Sequence, residues 1–305
     1  MKEISIIIPT LNAEKVLPNL FRDIKDNLSK MNYEVIVVDS SSDDNTIKIA
    51  KENKAKVINI SRSNFNHGGT RNLGIENASG EFVVFFTQDI VLYDSSSIKN
   101  LVKVFEDESI AIAYGRQLPY KDSGVFGSYV RLFNYSENSL TKDLSCKNEL
   151  GIKTIFCSNS FAAYRKSIHN KLGGFPEKVI LGEDMYFAAK AINSGYKLSY
   201  VADAKVYHSH DYSIIEEFKR NFDIGVFHAT EHWIFREYNG AQGEGIRLVL
   251  NEIKFLISNK HFMKIPYSIL RNAAKFFGYK LGTKHKHIPI KWKIKISMYK
   301  SYWAQ

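Results

Sequence analysis

The fold of this chain is decided by the stretch Phe82-Val83-Val84-Phe85-Phe86-Thr87-Gln88-Asp89, in which an apolar run ends abruptly in polar residues and a carboxylate. Five successive apolar residues without alternation are typical of a central strand in a parallel sheet, where both faces are covered. Ligands of open α/β sheets bind just beyond the carboxyl ends of such strands. Asp89 therefore either faces a metal or phosphate-bearing ligand or caps the helix predicted at residues 95–106, and the local spacing favours neither.

Strand and helix patterns alternate on both sides of this stretch. The periodicity predicts strands at residues 4–8, 34–39, 56–60, 82–86, 110–117 and 198–208, and helices at 11–27, 47–53, 68–77, 95–106 and 182–193. A strand or strand pair is predicted at 154–164, whereas 119–148 indicates loops or short helices. The predicted fold class is therefore α/β, with a parallel sheet flanked by helices. Because helical patterns dominate after residue 212, we divide the chain into an α/β region, 1–212, and a helical region, 213–305.

Composition is that of a cytoplasmic globular protein. The 305 residues are 44% apolar, which is enough for a sizeable core. The two cysteines, Cys146 and Cys157, have no second pair, so neither a disulfide framework nor a structural zinc site is indicated. No window approaches the length of a membrane-spanning apolar run, and the apolar run at residues 1–10 is too short for a secretory signal. We therefore expect a soluble or peripheral protein.

Positive charge is concentrated at the carboxyl end. Residues 240–305 contain thirteen Lys or Arg and two acids, a net charge of +11, whereas the whole chain carries +10. Lysines alternate there with apolar and aromatic residues, as in Lys291-Trp292-Lys293-Ile294-Lys295-Ile296. Such a tail suits an anionic membrane surface, although a solvated helical face with ordinary core contacts would give the same pattern. Nucleic acid is not an expected partner, because no nucleic-acid-binding motif accompanies the charge.

Two loops that follow predicted strands carry groups that could bind a nucleoside. After the first strand, Pro9 is followed by Thr10 and Asn12, whose side chains can bind the polar edge of a base, and helix capping would explain only one of them. The second strand ends at Asp39, which can accept a hydrogen bond from a base or a ribose, while Ser41 adds a donor. The three residues after Ser41 can cap the next helix without Asp39, which favours a ligand role for this carboxylate.

The segment around a pair of glycines is dense in groups that could bind an anion. Gly68 and Gly69 allow the backbone to approach a ligand closely, and the amides at the start of a helix attract negative charge. Arg71, one turn into that helix, can hold a phosphate through its fork of donors. His67 and Asn72 flank the same segment, which strengthens the interpretation beyond that of an isolated glycine pair.

Two further groups offer catalytic or metal-binding chemistry. Glu183 and Asp184 open a predicted helix, where they either stabilise the helix dipole or supply a general base that points into the cleft. His208 and His210 lie two residues apart at the end of the last predicted strand, so they face the same side. One of them could complete the coordination of a divalent ion held by Asp89, and a structural role for the pair is equally compatible with the pattern.

Taken in this order, the motifs resemble those of inverting family 2 glycosyltransferases with the GT-A fold, a Rossmann-like nucleotide-binding fold. The resemblance spans roughly residues 3–212. It rests on five segments: Ile8-Pro9-Thr10-Leu11-Asn12, Val38-Asp39-Ser40-Ser41-Ser42-Asp43, Gly68-Gly69-Thr70-Arg71-Asn72-Leu73-Gly74, Thr87-Gln88-Asp89 and Gly182-Glu183-Asp184. Residues 65–71 together with 87–89 are most similar to the rhamnosyltransferase branch, whose donor is dTDP-rhamnose.

The resemblance implies a role for each matching position. Contacts with the nucleotide sugar fall to Pro9, Thr10, Asn12, Asp39, Ser41, His67, Arg71, Thr87 and Gln88. Asp89 would bind a Mn²⁺ or Mg²⁺ ion that bridges the diphosphate, with His208 or His210 as a further ligand. Asp184 would be the general base, and Glu183 would help to position the acceptor. Thr87 replaces the first acid of the family's Asp-X-Asp motif, which weakens the usual contact with the ribose.

The implied activity is the metal-dependent, inverting transfer of a sugar, with rhamnose from dTDP-rhamnose as the best candidate, to a hydroxyl of a glycan or lipid-linked glycan. A lipid-linked acceptor would place the protein at the inner face of the cell membrane. The alternatives are a UDP-sugar donor and an inactive protein that only binds nucleotide sugars. A nucleotidyltransferase is disfavoured, because the Gly-rich, Lys-bearing segment expected after the first strand is absent.

Overall fold

The computed structural model describes residues 3–238 and 243–304, and the start of the predicted basic tail, residues 240–242, lies outside them. Within the described ranges nine strands form one mixed sheet. They are Ile4–Thr10 (β1), Tyr33–Asp39 (β2), Lys56–Asn59 (β3), Phe82–Phe86 (β4), Val91–Leu92 (β5), Ile110–Leu118 (β6), Leu140–Lys142 (β7), Phe161–Arg165 (β8) and Lys197–Tyr207 (β9). The strand order is β3-β2-β1-β4-β8-β6-β9-β5, and β7 also pairs with β9.

Helices cover both faces of the sheet and continue to the carboxyl end. The α-helices are Leu17–Asn27 (α1), Thr46–Glu52 (α2), His67–Glu76 (α3), Ser97–Lys103 (α4), Val125–Asn134 (α5), Lys147–Leu150 (α6), Lys166–Lys171 (α7), Glu183–Asn193 (α8), Ile214–Thr230 (α9), His232–Glu237 (α10), Glu244–Ser258 (α11), Ile265–Thr283 (α12) and Ile290–Ile296 (α13). This is the predicted α/β class, with the expected helical extension after the last long strand.

The buried central strands explain why their sequences lack polar alternation. Ile4, Ile6 and Ile8 of β1 pack into one apolar cluster together with α1 and α4, while Ile7 points into a second cluster on the opposite face. β4 divides its side chains between the two clusters in the same way. β1 to β4 therefore form a parallel half-sheet whose carboxyl ends meet at one edge.

The segment predicted as a strand at 154–164 is mostly not a strand. Residues 151–155 form a 3₁₀ helix, and β8 begins only at Phe161. β8 runs antiparallel to β4, with Phe161 opposite Phe86, so its first residue lies beside the last residue of β4. The polar residues just before β8 are therefore brought to the same edge of the sheet as Thr87-Gln88-Asp89.

The helical carboxyl-terminal region shares its core with the sheet. Phe222, Val226 and Phe227 of α9 belong to the cluster that also contains Ile7 of β1. α12 packs closely on α9, because Gly278 and Gly282 present no side chain to it. The division of the chain at residue 212 stays a prediction, but these contacts place α9 and α12 directly against the α/β region.

No helix in the described ranges is long and apolar enough to cross a bilayer.

Candidate active site

A cavity of about 910 Å³ opens at the carboxyl ends of β1 and β4 and at the end of β9. Residues from several parts of the chain surround it: the loops after β1, β2, β4 and β9; the start of α3; the start of α8 with the segment before β8; Tyr299; and residues of α5, α9 and α12. The sequence-based expectation that the site lies beyond the carboxyl end of Phe82–Phe86 agrees with this position.

Asp89, His208 and His210 meet on the wall of the cavity. The Oδ2 atom of Asp89 lies 3.5 Å from Nε2 of His208 and 3.9 Å from Nε2 of His210. One potential ligand atom from each of the three residues lies within 4.8 Å of the others. The structure thus brings together all three residues that the sequence suggested as metal ligands, although one comes from the loop after β4 and two follow β9.

The protonation of these side chains suits a divalent cation. Nδ1 of His208 lies 2.9 Å from Oε1 of Gln117, an oxygen that can only accept, so Nδ1 carries the proton and Nε2 presents its lone pair toward Asp89. That buried Nε2 has no hydrogen-bond partner in the described chain. Burial lowers the pKa of His208, and burial with the neighbouring His208 lowers the pKa of His210 to about 4, so both rings are neutral near pH 7. Two neutral imidazoles and one carboxylate fit Mn²⁺ better than Mg²⁺, which prefers oxygen ligands.

Glu183 and Asp184 are adjacent but differ in their electrostatic surroundings. Glu183 is buried and forms an ion pair with Arg71 at 3.2 Å, and although burial alone would raise its pKa, Arg71 and His67 hold that pKa below its usual value. Asp184 forms no ion pair with any described residue, and burial together with the charge of Glu183 raises its pKa to about 7, against a smaller opposing effect of Arg71. Asp184 is only partly buried and lines the cavity, so it can exchange a proton with a bound molecule.

Asn159 holds the two acids in place and was not among the predicted site residues. Its backbone N–H donates to Oδ2 of Asp184 at 3.1 Å, and its side-chain amide donates to Oε1 of Glu183 at 3.0 Å. The hydroxyl of Tyr164 donates to Oδ1 of Asn159 and fixes the orientation of the amide. The polar run Ser158-Asn159-Ser160 is the available signal in the sequence, and it falls inside the strand prediction that begins too early.

Asp39 is fully buried and is bonded to its own loops. Its carboxylate accepts hydrogen bonds from the Thr10 hydroxyl at 2.8 Å, the Ser42 hydroxyl at 2.6 Å and the Ser42 backbone N–H at 2.8 Å. The premise that Asp39 lacks local partners was therefore wrong. Pro9 and Thr10 do line the cavity, so Asp39 lies one residue behind the surface that a nucleoside would contact.

Several other predicted contact residues hold loops together. Oδ1 of Asn12 accepts from the backbone N–H of Asp43 at 2.9 Å, and the Ser41 hydroxyl donates to the carbonyl of Ile60 at 2.8 Å. Gln88 bonds both backbone groups of Leu11, at 2.8 and 3.1 Å. Of these three predicted residues, Gln88 lines the cavity, whereas Asn12 and Ser41 are not among its lining residues.

His67, Arg71 and Thr87, which the resemblance implies as contacts of the nucleotide sugar, line the cavity, each with different freedom to bind a ligand. Besides pairing with Glu183, Arg71 donates to the carbonyl of His67. Burial lowers the pKa of His67 to about 4, and its Nε2 has no hydrogen-bond partner in the described ranges. The buried hydroxyl of Thr87 also lacks a partner there. His67 and Thr87 thus retain polar atoms for a ligand. Both contacts of Arg71 are made by Nη1, and its buried Nε also has no hydrogen-bond partner in the described ranges.

Arg131, Arg220 and Tyr299 also line the cavity, and they lie in segments where the sequence predicted no site residues. Arg131 of α5 and Arg220 of α9 line the cavity, and neither has a carboxylate within ion-pair distance among the described residues. Arg220 lies 5.6 Å from the ring of Tyr212, which stacks on His210. Tyr299 meets the ring of His67 edge-on at 4.6 Å. The carboxyl-terminal region therefore supplies part of the cavity wall, both beside the cluster of Asp89, His208 and His210 and beside Glu183 and Asp184.

Comparison with known proteins agrees with this geometry. The family model "Glycosyl transferase family 2" matches residues 5–173. The O-antigen chain rhamnosyltransferase RfbN of Salmonella typhimurium is 48% identical over 303 residues, covering 99% of this chain and 96% of that protein. The O-antigen chain rhamnosyltransferase WbaN of Salmonella anatum is 45% identical over 304 residues, with the same coverage.

A solved structure shares the fold. The mannosyltransferase PcManGT from Pyrobaculum calidifontis, in complex with GDP-Man and Mn²⁺, aligns with a TM-score of 0.59 at 18% identity, over 99% of this chain and 86% of that one. This likeness concerns the fold alone. Together with the family match and the two close relatives, it confirms the resemblance that the order of motifs predicted. The chain belongs to glycosyltransferase family 2 and is an enzyme of the rhamnosyltransferase-like branch with a GT-A-like fold.

Proposed function

We propose that this enzyme transfers rhamnose from dTDP-rhamnose to a hydroxyl of a lipid-linked glycan, with inversion at the anomeric carbon and with a bound divalent cation. The observation that carries the proposal is one cavity in which Asp89, His208 and His210 converge and which Asp184 also lines. Burial and the charge of Glu183 raise the pKa of that carboxyl to about 7. The names of the two close relatives support rhamnose as the sugar.

The donor would lie across the carboxyl edge of the parallel half-sheet. Thr10 and Phe65 line the end of the cavity that suits the nucleoside, and Asp39 orients the Thr10 hydroxyl from behind. Asp89, His208 and His210 would hold Mn²⁺, which supplies positive charge to the departing diphosphate. Arg131 and Arg220 add charge to the same region of the cavity and form no ion pair with a carboxylate of the described residues, so they suit an anionic leaving group.

Asp184 is the proposed general base. An acceptor hydroxyl becomes an effective nucleophile when a carboxylate takes its proton, and a base whose pKa lies near the working pH does this most effectively. The backbone N–H of Asn159 fixes one oxygen of Asp184, while Glu183 and its partner Arg71 hold the start of α8. Direct attack on the face opposite the diphosphate inverts the anomeric carbon without a covalent intermediate.

The surface of α11 and α12 supports a membrane-proximal location at the inner face of the cell membrane. Large apolar side chains are exposed there: Ile246, Leu250, Ile257, Phe262, Met263, Tyr267, Ile269, Leu270, Phe276 and Phe277. Exposed lysines lie among them, including Lys254, Lys264 and Lys280. Apolar residues interspersed with lysine are suited to an anionic lipid surface, which is where a lipid-linked acceptor would be presented.

The test is nucleotide release from a panel of dTDP-, UDP- and GDP-sugars, measured with Mn²⁺ and with a chelator. We expect turnover with dTDP-rhamnose and its loss with the chelator. Asp184→Asn should lower kcat by about 10²–10⁴-fold, because proton transfer to the base is lost, while the affinity for dTDP changes little. Asp203→Asn, the same change at an exposed carboxylate of β9, is the matched control and should leave kcat unchanged.

Three outcomes would contradict the proposal or one of its parts. Turnover that requires a UDP-sugar would replace rhamnose donation by the alternative donor class. Binding of dTDP without turnover of any sugar nucleotide would instead favour an inactive nucleotide-sugar-binding protein. If Asp184→Asn weakens dTDP binding as much as it lowers kcat, Asp184 is structural and the assignment of the base is wrong.

A further inference from the structure

A second charged cluster lines the cavity on the side formed by the carboxyl-terminal helices. Arg271 of α12, only 3% exposed, forms an ion pair with Glu217 of α9. Nζ of Lys275, one turn further along α12, lies 3.6 Å from the same Oε1 atom of Glu217. One carboxylate thus faces two cations, and all three side chains line the cavity. The cluster carries a surplus positive charge in a largely buried position.

The guanidinium of Arg271 also keeps unused donors. Its Nε and Nη1 atoms are buried and have no hydrogen-bond partner among the described residues. Apart from Glu217, this guanidinium contacts the ring of Phe126, whose centroid lies 4.3 Å from Cζ. A buried donor without an acceptor is energetically unfavourable, and more so when the group is charged. An anionic ligand at this place would provide the missing acceptors.

This cluster shares no residue with the three proposed to hold the cation, although Arg220, which is proposed to face the diphosphate, lies one turn from Glu217 on α9. Its residues come from α9 and α12, whereas Asp89, His208 and His210 follow strands of the sheet. Phe126 at the start of α5 packs on both Arg271 and Tyr267, and Tyr267 belongs to the exposed apolar surface of α11 and α12. The cluster therefore lies between the cavity and the surface proposed to face the membrane.

We propose that Arg271 and Lys275 bind the phosphate group that joins the acceptor glycan to its lipid. This inference rests on the proposed function, since a lipid-linked glycan carries such a phosphate between the sugar and the apolar chain. The placement fits that order of groups: the sugar toward Asp184, the phosphate at Arg271 and Lys275, and the lipid along the apolar surface of α12. Glu217 fixes the two cations and prevents them from repelling each other.

The experiment measures the binding of geranyl diphosphate, a short isoprenyl diphosphate, in the presence of Mn²⁺ and saturating dTDP, which fills the donor site. We expect the wild-type enzyme to bind this probe and to bind geraniol, which lacks the phosphates, far more weakly. Lys275→Gln should weaken binding of geranyl diphosphate by about tenfold or more, because a charged hydrogen bond is lost. Lys275→Arg keeps the charge and should retain binding.

The same helix provides the controls for folding and for specificity of this binding experiment. Arg271 still neutralises Glu217 in Lys275→Gln, so this variant should keep the wild-type melting temperature. Lys280→Gln removes an exposed lysine of α12 outside the cavity and should bind the probe as the wild type does.

Three results would overturn the proposal: displacement of the probe by dTDP, equal binding of geraniol, or unchanged binding in Lys275→Gln at an unchanged melting temperature. Failure of the proposed function has a different signature, because it would appear as absent nucleotide release from dTDP-rhamnose by the wild-type enzyme.

Discussion

The adjacent carboxylates at the start of α8 show how surroundings assign different tasks to similar residues. Glu183 is paired with Arg71 and stays ionised, whereas Asp184 lies beside that negative charge and has no ion-pair partner in the part of the chain that the structure describes. One acid therefore stabilises the local structure, and the other can exchange a proton near neutral pH. This separation of roles depends on which of the two side chains reaches Arg71.

The pH dependence of catalysis follows from this separation. Because the pKa of Asp184 is raised to about 7, the carboxylate is protonated below that pH and cannot accept the proton of the acceptor. We expect kcat to rise with pH through about 7 and then level off. Glu183→Gln removes the negative neighbour and should shift this rise to lower pH, as measured by a pH–rate profile with saturating substrates. A profile that is unchanged in Glu183→Gln would contradict the assignment.

At the residue scale, the positions of the polar groups around the cavity could be predicted from the sequence. The hydrogen-bond partners of those groups could be predicted less well. Asp89, His208 and His210 were recognisable because each follows an apolar strand that ends at the ligand-binding edge of the sheet. The hydrogen bond from Thr10 to Asp39 depends on the parallel pairing of β1 and β2 and could not be seen in a single segment, whereas the bonds from Ser42 are local and come from the loop that follows Asp39. The same holds for Gln88, which bonds a residue 77 positions away.

At the element scale, the contact of α9 with α12 determines whether the carboxyl-terminal part of the cavity forms. A Cβ atom on Gly282 would lie 2.0 Å from the carbonyl oxygen of Phe222, and one on Gly278 would lie 2.2 Å from that of Phe218. These are backbone atoms in the body of a helix, so they cannot move aside without separating the helices. Arg271 and Lys275, which lie on α12, would be displaced with them.

We therefore predict that Gly282→Ala lowers the free energy of unfolding by about 1–3 kcal/mol. Gly245→Ala is the matched control, because Gly245 is exposed in α11, a Cβ atom added there would meet no other atom within 4 Å, and alanine is the better helix former. Denaturant titration of both variants provides the measurement. Equal stability of Gly282→Ala and the wild type would show that the two helices do not need to approach so closely.

Strands of the parallel half-sheet were predictable because burial on both faces leaves continuous apolar runs, as in Phe82–Phe86. β8 was harder to delimit, because Thr154, Ile155 and Phe156 are apolar or β-branched yet belong to a 3₁₀ turn and its end. The antiparallel direction of β8 could not be predicted from local sequence patterns either, because it depends on which strand β8 pairs with. The position of Asn159 in the site follows from that direction.

At the scale of the whole molecule, the carboxyl-terminal helices line the cavity on one side and form the exposed apolar surface of α11 and α12 on the other. Arg220, Tyr299, Arg271 and Lys275 face the cavity, while the opposite sides of α11 and α12 expose apolar residues and lysines. The excess of positive charge after residue 240 was visible in the sequence. The part that these helices play in the cavity wall was not, because it depends on how they fold back onto the sheet.

Membrane association is predicted to depend on both features of that surface. The protein should sediment with phosphatidylcholine vesicles that contain phosphatidylglycerol, and less with phosphatidylcholine alone, because each lysine near an anionic surface contributes about 1 kcal/mol. Replacing Ile269 and Phe276 by serine should reduce this binding, whereas Leu132→Ser, at an exposed apolar residue of α5, should not. If the fraction of protein that sediments with vesicles is unchanged by lipid charge and by the double substitution, a membrane-facing role is contradicted.

The most direct test of the whole account is a Mn²⁺ titration in the presence of dTDP, followed by electron paramagnetic resonance, for the wild type and for Asp89→Asn. We predict one Mn²⁺ per wild-type chain. Removal of a residue that only supports a metal ligand typically lowers metal affinity by about 10–100-fold. Asp89→Asn removes a proposed ligand itself, so its Mn²⁺ affinity should fall by more than that. Equal Mn²⁺ affinity in the two proteins would contradict a cation held by Asp89, His208 and His210 against the departing diphosphate.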